Sequence, residues 1–259
     1  MNSNFHPTAV ISPEAQIGAN VQVGPYCIIN AGVTIGDNCK LHSHVVIDGP
    51  THIGRENEFY PFSAIGGLTQ DKKYKGEPTY CIIGDRNIFR EYMTVHRGTG
   101  PEEKTVIGSD NLFLAYTHIA HNCMLGNSII MSNCGTLAGH VVVEDKAIIG
   151  GLAAVHQFCR IGTMSIIGGC SKVVQDVPPY MMADGNPAEV RTINKVGLER
   201  NGFAEEKVKA IREAFKLVFK NREITTTKAL DQMEQVLGHH EEVRHLIQFF
   251  RTSERGICR

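Results

Sequence analysis

Two histidines, His118 and His121, stand three residues apart in HIAHN, and Asn122 follows the second directly. Two more come at LAGH and AVHQF, His140 and His156, with Gln157 beside the last. Near pH 7 a neutral imidazole can ligate a metal, take a proton from a hydroxyl, or sit at a solvated polar corner. Local spacing suits all three. The element that carries these segments has to decide.

Stepping by six from Ile11 gives Ile17, Val23, Ile29, Ile35, Leu41, Ile47, Ile53, Phe59 and Ile65. The series resumes at Ile83, Phe89 and Val95, then runs from Ile107 through Ile119, Leu137 and Val155 to Val173. It fails only at Asp71, Glu77 and Pro101. Glycine often follows the aliphatic, as at Gly18, Gly36, Gly84 and Gly126. A period of six is neither the helical 3.6 nor the 2 of a hairpin sheet. It predicts short strands joined by tight corners, with glycine supplying backbone angles that other residues resist. Stacked, such corners bury one continuous aliphatic column, as in a solenoid. The pattern resembles the hexapeptide-repeat family. That resemblance implies a mostly β fold, a left-handed parallel β-helix with three hexads per coil and about eight coils here.

The same repeat accounts for most of the cysteines. Cys27, Cys39, Cys81, Cys123 and Cys159 fall four residues after a slot, a position shared with Ala15, Ser63, Ala147 and Ala153. They read as small packing residues rather than redox groups. Two polar, turn-rich segments, 67–81 and 98–104, interrupt the series and read as loops thrown out from corners. The first is the stronger functional candidate, and the second is short enough to be a mere insertion. The period dies in QDVPPYMMADGNPAEV, after which Val208, Ile211, Phe215 and Val218 recur at helical spacing. A second helix over TKALDQMEQVL, capped by Thr226 or Thr227 and stopped at Gly238, and a third over HEEVRHLIQFF are expected. The predicted organisation is therefore a β-helix over 1–190 and a C-terminal α-helical domain over 191–259 that covers the open end of the solenoid.

Between 107 and 173 no loop intervenes, so residues one coil apart should stack. That puts His121 under Gly139 and Gln157, Asn122 under His140 and Phe158, and His118 under Thr136 and Ala154. His118, His121, His140, His156 and Gln157 thus gather at one edge. His6, His42, His44, His52 and His96 show no such convergence and read as surface residues. Besides the plain polar corner, two chemistries compete for the cluster. One is a three-histidine zinc site of the kind found in the γ-carbonic anhydrases, which share the repeat. The other is a histidine general base for attack of a hydroxyl on a thioester, with the Gly139 N–H stabilising the oxyanion.

The ordered set TQDKKYKGEPT, IGDRNIFRE, VHRGT, GSDNL, HIAHNC, TLAGH, AIIGGLAAVHQFCRIG, GGCSKVVQDVPPY and GNPA sharpens the match. From about residue 5 to the end, the chain resembles the UDP-N-acetylglucosamine O-acyltransferases of lipid A biosynthesis. The resemblance implies a homotrimer with clefts between neighbouring solenoids. There an (R)-3-hydroxyacyl chain would pass from acyl carrier protein to the glucosamine 3-position of UDP-N-acetylglucosamine. By position, His121 matches the family's base and Gly139 its oxyanion donor. Asp71 and Lys73 match residues on the sugar and phosphate side, and His118, His140, His156 and Gln157 match the substrate lining. Asn194 and Arg200 match positions near the nucleotide. Gly169 matches the position that limits acyl length, and its lack of a side chain implies room for a longer chain. No metal and no resident cofactor are implied, since the donor rides on the phosphopantetheine of the carrier protein.

Two departures stand out. Asn122 replaces the aspartate that commonly follows the base, and Asn201 follows Arg200 where a second arginine is common. The basic residues Lys207, Lys209, Arg212, Lys216, Lys220 and Arg222 read equally as a docking face for the acidic carrier protein or as a solvated helix face, with Glu205, Glu206 and Glu213 interleaved. A formal net charge of −1 gives no electrostatic case for nucleic acid. No run approaches a membrane span, and the N-terminus lacks a basic segment followed by an apolar core. A cytoplasmic protein with reduced thiols is expected.

Overall fold

The structure, a computed structural model, describes residues 4–221 and 223–259. Residues 4–177 form a left-handed parallel β-helix of triangular section, built from three sheets that each take one short strand per coil. The second sheet runs from Val10–Ile11 through His118–Ile119 to Lys172–Val173. Most strands are two residues long, the first pointing outward and the second, the predicted slot, buried in the column. Ile119, Leu137 and Val155 pair in register on successive coils, all buried. The residue two before each slot also points inward, so Cys27, Cys39, Cys81, Cys123 and Cys159 are buried, and all eight cysteines are unpaired. Burial pushes the Cys81 and Cys123 thiols up to about 12, which leaves them inert packing groups.

Glycine's role differs from the expectation. The corner residue with positive φ is the third after the slot, and it is mostly not glycine: Asn20, Tyr26, Asn38 and His44 have φ of 58–60°, while Gly32, at 74°, is an exception. The glycine directly after the slot is there for space. A Cβ at Gly36 would lie 2.7 Å from the backbone of Gly54, and one at Gly84 would lie 2.7 Å from the Gly108 carbonyl oxygen. Coils approach too closely at this point for any side chain.

Both interruptions are looped out without loss of register. Asn57, Asn87, Asn111 and Ile129 stack on successive coils although the sequence steps are 30, 24 and 18 residues. The side-chain oxygen of each asparagine accepts the backbone N–H of the next member, and its amide donates to a glycine carbonyl of the next coil. Phe59, Phe89 and Phe113 stack beside this ladder, with centroids 4.7 and 5.3 Å apart.

The solenoid closes with an antiparallel hairpin, Met181–Gly185 and Ala188–Ile193, added to the first sheet, so residue 190 lies inside a strand. Among the described residues four α-helices follow: α1 (Lys195–Arg200), α2 (Glu205–Phe215), α3 (Thr226–Leu237) and α4 (Glu241–Arg251). The first was not expected. Helix α2 runs on into a widened turn over Lys216–Lys220, and α3 is capped by Thr225, one residue before the expected position. Met181 and Ile193 of the hairpin join the core of this helical unit, while Cys258 of the tail is buried against Ala188. Among the described residues no helix is long and apolar enough to cross a membrane.

Candidate active site

The HIAHN hexad crosses the corner between the second and third sheets. His118 points outward from its strand while Ile119 fills the column. Asn122, and His140 and Phe158 on the two coils above it, occupy the positive-φ corner position, with φ of 60–66°. This conformation throws their side chains off the corner, and asparagine tolerates it best. His140 stacks on Phe158 at 4.7 Å and meets His121 edge-on at 5.3 Å.

Above His121 the chain has no side chain. A Cβ at Gly139 would lie 2.6 Å from His121 Nε2 and 2.5 Å from Cε1, so the imidazole occupies the space that glycine vacates. Among the described residues the Gly139 N–H has no acceptor. On the other edge of the ring, His121 Nδ1 lies 2.9 Å from Asn122 Oδ1. That oxygen also accepts the Thr99 N–H, and Asn122 Nδ2 donates to Glu103 at 2.7 Å. The two outer partners fix the amide orientation, so Nδ1 must carry the ring proton and Nε2 offers a lone pair beside Gly139.

An open cleft of about 620 Å³ lies against this corner, bringing together Asp71, Lys73, His118, His121, Gly139 and Gln157 of the expected residues. The 67–81 loop forms its far wall and is tied to the 98–104 loop through Thr69 and Thr99 hydroxyls 2.8 Å apart. The second loop is therefore no mere insertion: it carries Thr99 and Glu103 to Asn122, the partner of the imidazole.

His96 corrects the sequence reading. It is buried, lines the cleft, and packs edge-on against His118 with centroids 5.0 Å apart. Stepping by 18 misses it because the coil below His118 is 24 residues away, Thr94 lying beneath it with Oγ1 2.7 Å from His118 Nδ1. The step of 24 carries six residues more than a coil of 18, and taking them out of the count puts His96 under Ala120. Burial first, then His118 and His121, push the His96 imidazole down to about 4. Burial and the neighbouring His121 lower His118 as well, and His140 is lowered by burial and His121 against the opposing pull of Glu103 and Asp71. At neutral pH His96 and His118 thus stand uncharged in the cleft wall. Gln70 and Glu103 are further site residues that the repeat alone does not mark.

Other expected residues lie elsewhere on the chain. His156 is exposed, 3.4 Å from Arg255 of the tail. Gly169 sits at the corner between the first and second sheets, with only Gly151 near the place of its absent side chain. Asn194 is buried as the cap of α1, accepting the Gly197 N–H and donating to Met164 O, so within one chain its side chain is committed to the fold. Arg200 is exposed in the last turn of α1. On the basic face, Lys207, Lys209 and Lys216 are engaged with Glu242, Glu205 and Glu213, while Arg222 lies outside the described residues. Three metal-ligand atoms come within 4.8 Å of one another only at Glu206, His239 and His240 on the helical unit, among the described residues. The cleft histidines do not form such a set within one chain.

Comparison with known proteins follows this geometry closely. Residues 14–49 match the family model for bacterial transferase hexapeptides, and residues 176–258 match that for domain 2 of UDP-N-acetylglucosamine O-acyltransferase. LpxA from Acinetobacter baumannii is 47% identical with a TM-score of 0.95, over 98% of this chain and 99% of that one. The UDP-N-acetylglucosamine O-acyltransferase of Moraxella catarrhalis is 41% identical with a TM-score of 0.94, over 98% and 99%. The UDP-N-acetylglucosamine acyltransferase of Bacteroides fragilis is 37% identical with a TM-score of 0.96, over 98% and 100%. A hexad solenoid, a histidine corner and a helical C-terminus, matched end to end at these identities, leave one conclusion: the chain belongs to the UDP-N-acetylglucosamine acyltransferase family.

Proposed function

We propose that this chain transfers an (R)-3-hydroxyacyl group from acyl carrier protein to the glucosamine 3-position of UDP-N-acetylglucosamine, the first step of lipid A biosynthesis. His121 is the observation that carries the reading: a ring held by one nitrogen, with the other free beside a vacant backbone N–H in an open cleft. His121 Nε2 takes the proton of the sugar 3-hydroxyl as its oxygen attacks the thioester carbonyl carbon. The C=O pair moves onto oxygen, which the Gly139 N–H stabilises. Collapse of the tetrahedral intermediate breaks the C–S bond, and the departing sulfur takes the proton back from His121. The products are the ester and the free carrier thiol, so the balance needs no metal or resident cofactor.

Lys73 suits the diphosphate and Asp71 the sugar hydroxyls, both being on the loop across the cleft. Gly169, Asn194 and Arg200 lie away from the histidine corner, so a second copy of the chain would have to bring them to it. A homotrimer with clefts between neighbours meets that need. Unpaired cysteines, six of the eight buried, suit a cytoplasmic enzyme.

The direct test is incubation of purified protein with UDP-N-acetylglucosamine and a 3-hydroxyacyl carrier thioester. A product heavier than the sugar nucleotide by one hydroxyacyl group is expected. No acylated product at any acyl length would sink the reading.

A further inference from the structure

We propose that Glu103 is a positioning residue for the base: its carboxylate supplies, through the side-chain amide of Asn122, the negative charge that Asn122 itself lacks. The inference rests on the acyltransferase reading and concerns what stands behind His121. Three groups line up. His121 Nδ1–H donates to Asn122 Oδ1 at 2.9 Å, and Asn122 Nδ2–H donates to Glu103 Oε2 at 2.7 Å. The amide cannot be turned round, because Thr99 N–H needs an acceptor at Oδ1 and the carboxylate needs a donor at Nδ2.

A neutral amide holds the ring and its tautomer, but it does little for the imidazolium that forms when the base takes its proton. A carboxylate hydrogen-bonded to the far side of that amide polarises it, making Oδ1 a stronger acceptor, and chains of this kind reinforce one another. Glu103 is fixed for the task by the Gly100 N–H, which donates to the same oxygen at 2.7 Å. That bond first, then the one from Asn122, holds its carboxyl below the usual carboxylate range, so it stays ionised at neutral pH. The other groups around His121 bring no net charge to it through a hydrogen bond. His96, His118 and His140 are neutral imidazoles, and Asp71 and Lys73 across the cleft are of opposite sign. The charge of the site has moved from the residue after the base to the end of the 98–104 loop.

Glu103→Gln keeps a carbonyl oxygen for both the Gly100 and Asn122 donors while removing the charge. Steady-state acyl transfer should lose about 10- to 100-fold in kcat, with KM for both substrates changed less than about twofold. Adding Asn122→Asp to that variant places a carboxylate directly on His121, with the side-chain amide introduced by Glu103→Gln as its donor, and should restore most of the loss. Wild-type kcat in Glu103→Gln, a loss confined to KM, or no recovery in the double variant would overturn the proposal. An activity-free readout separates this from failure of the acyltransferase reading. The His121 Nδ1 proton should resonate at lower field in the wild type than in Glu103→Gln, and an identical position would overturn the relay even if the true substrate were another.

Discussion

His121 is the residue on which the chemistry converges, and its environment makes two quantitative demands. Replacing it with alanine removes the base but leaves Gly139, the loops and the column intact. Turnover should fall on the order of 10²–10⁴ with the fold unchanged by circular dichroism, and near-normal turnover would remove it from the mechanism. His96 sets the second demand. In the folded chain burial holds its imidazole at about 4, against 6.5 for a free one, so between those values the unfolded chain binds a proton that the folded chain refuses. Stability should therefore be level above about pH 7 and fall as pH drops through the window from 6.5 towards 4, with His118 and His140 shifted the same way. Chemical denaturation at pH 7.5, 6 and 5 should show that fall, and His96→Gln should flatten it; equal slopes would show that burial of His96 is not the cause. At this scale the sequence was readable where the repeat is unbroken. His121, Gly139 and Gln157 stack as their spacing predicts, whereas His96 was hidden because a looped-out segment breaks the count, and Glu103 because it lies within that segment.

Hexads, not single residues, hold this register across both insertions. The asparagine ladder does it with side-chain amides that copy backbone pairing where the sequence step is irregular. Asn87→Ala would leave the buried Asn111 N–H without its acceptor and the half-buried Gly108 carbonyl without its side-chain donor. At about 1–3 kcal/mol for the one fully buried group left unpaired, the loss should be read as a lower unfolding midpoint in denaturant. Gly84→Ala tests the close approach of coils instead: its Cβ would meet the Ser109 hydroxyl at 2.5 Å, which can rotate away, and the Gly108 carbonyl oxygen at 2.7 Å, which is backbone and cannot. A cost of about 1–3 kcal/mol is expected, and an unchanged midpoint would show that the coils can part at this point. The period of six reveals the coils from sequence alone. It does not reveal which hexad position bears the unusual φ, because asparagine, tyrosine and histidine there look like surface variation. The short α1 and the widened turn after α2 were equally hidden, since each buries a single residue, Leu198 and Val218, too few to set a period.

For the whole molecule, the open question is what makes one prism into a complete site. The corner between the first and second sheets carries Tyr26, His44, Phe62, Tyr92 and Tyr116 at successive positive-φ positions, their rings 4.8–5.0 Å apart in a continuous column. Tyr26, Phe62 and Tyr116 are 48–58% exposed, an unusual apolar ridge for a monomer in water. His121, Gly169 and the Asn194 cap, meanwhile, sit on three different corners, so a cleft that uses all three needs a neighbour. Covering the aromatic column with a second chain would satisfy both facts. Phe62→Asp with Tyr92→Asp should therefore separate the subunits without unfolding them, since aspartate accepts the positive φ found at both positions. Sedimentation velocity should show the wild type as a trimer and the double variant as a monomer, and the monomer should lose acyl transfer although every residue of its histidine corner is intact. A variant that still sediments as a trimer would move the seam to another face; a monomeric variant with full activity would place the whole site within one chain.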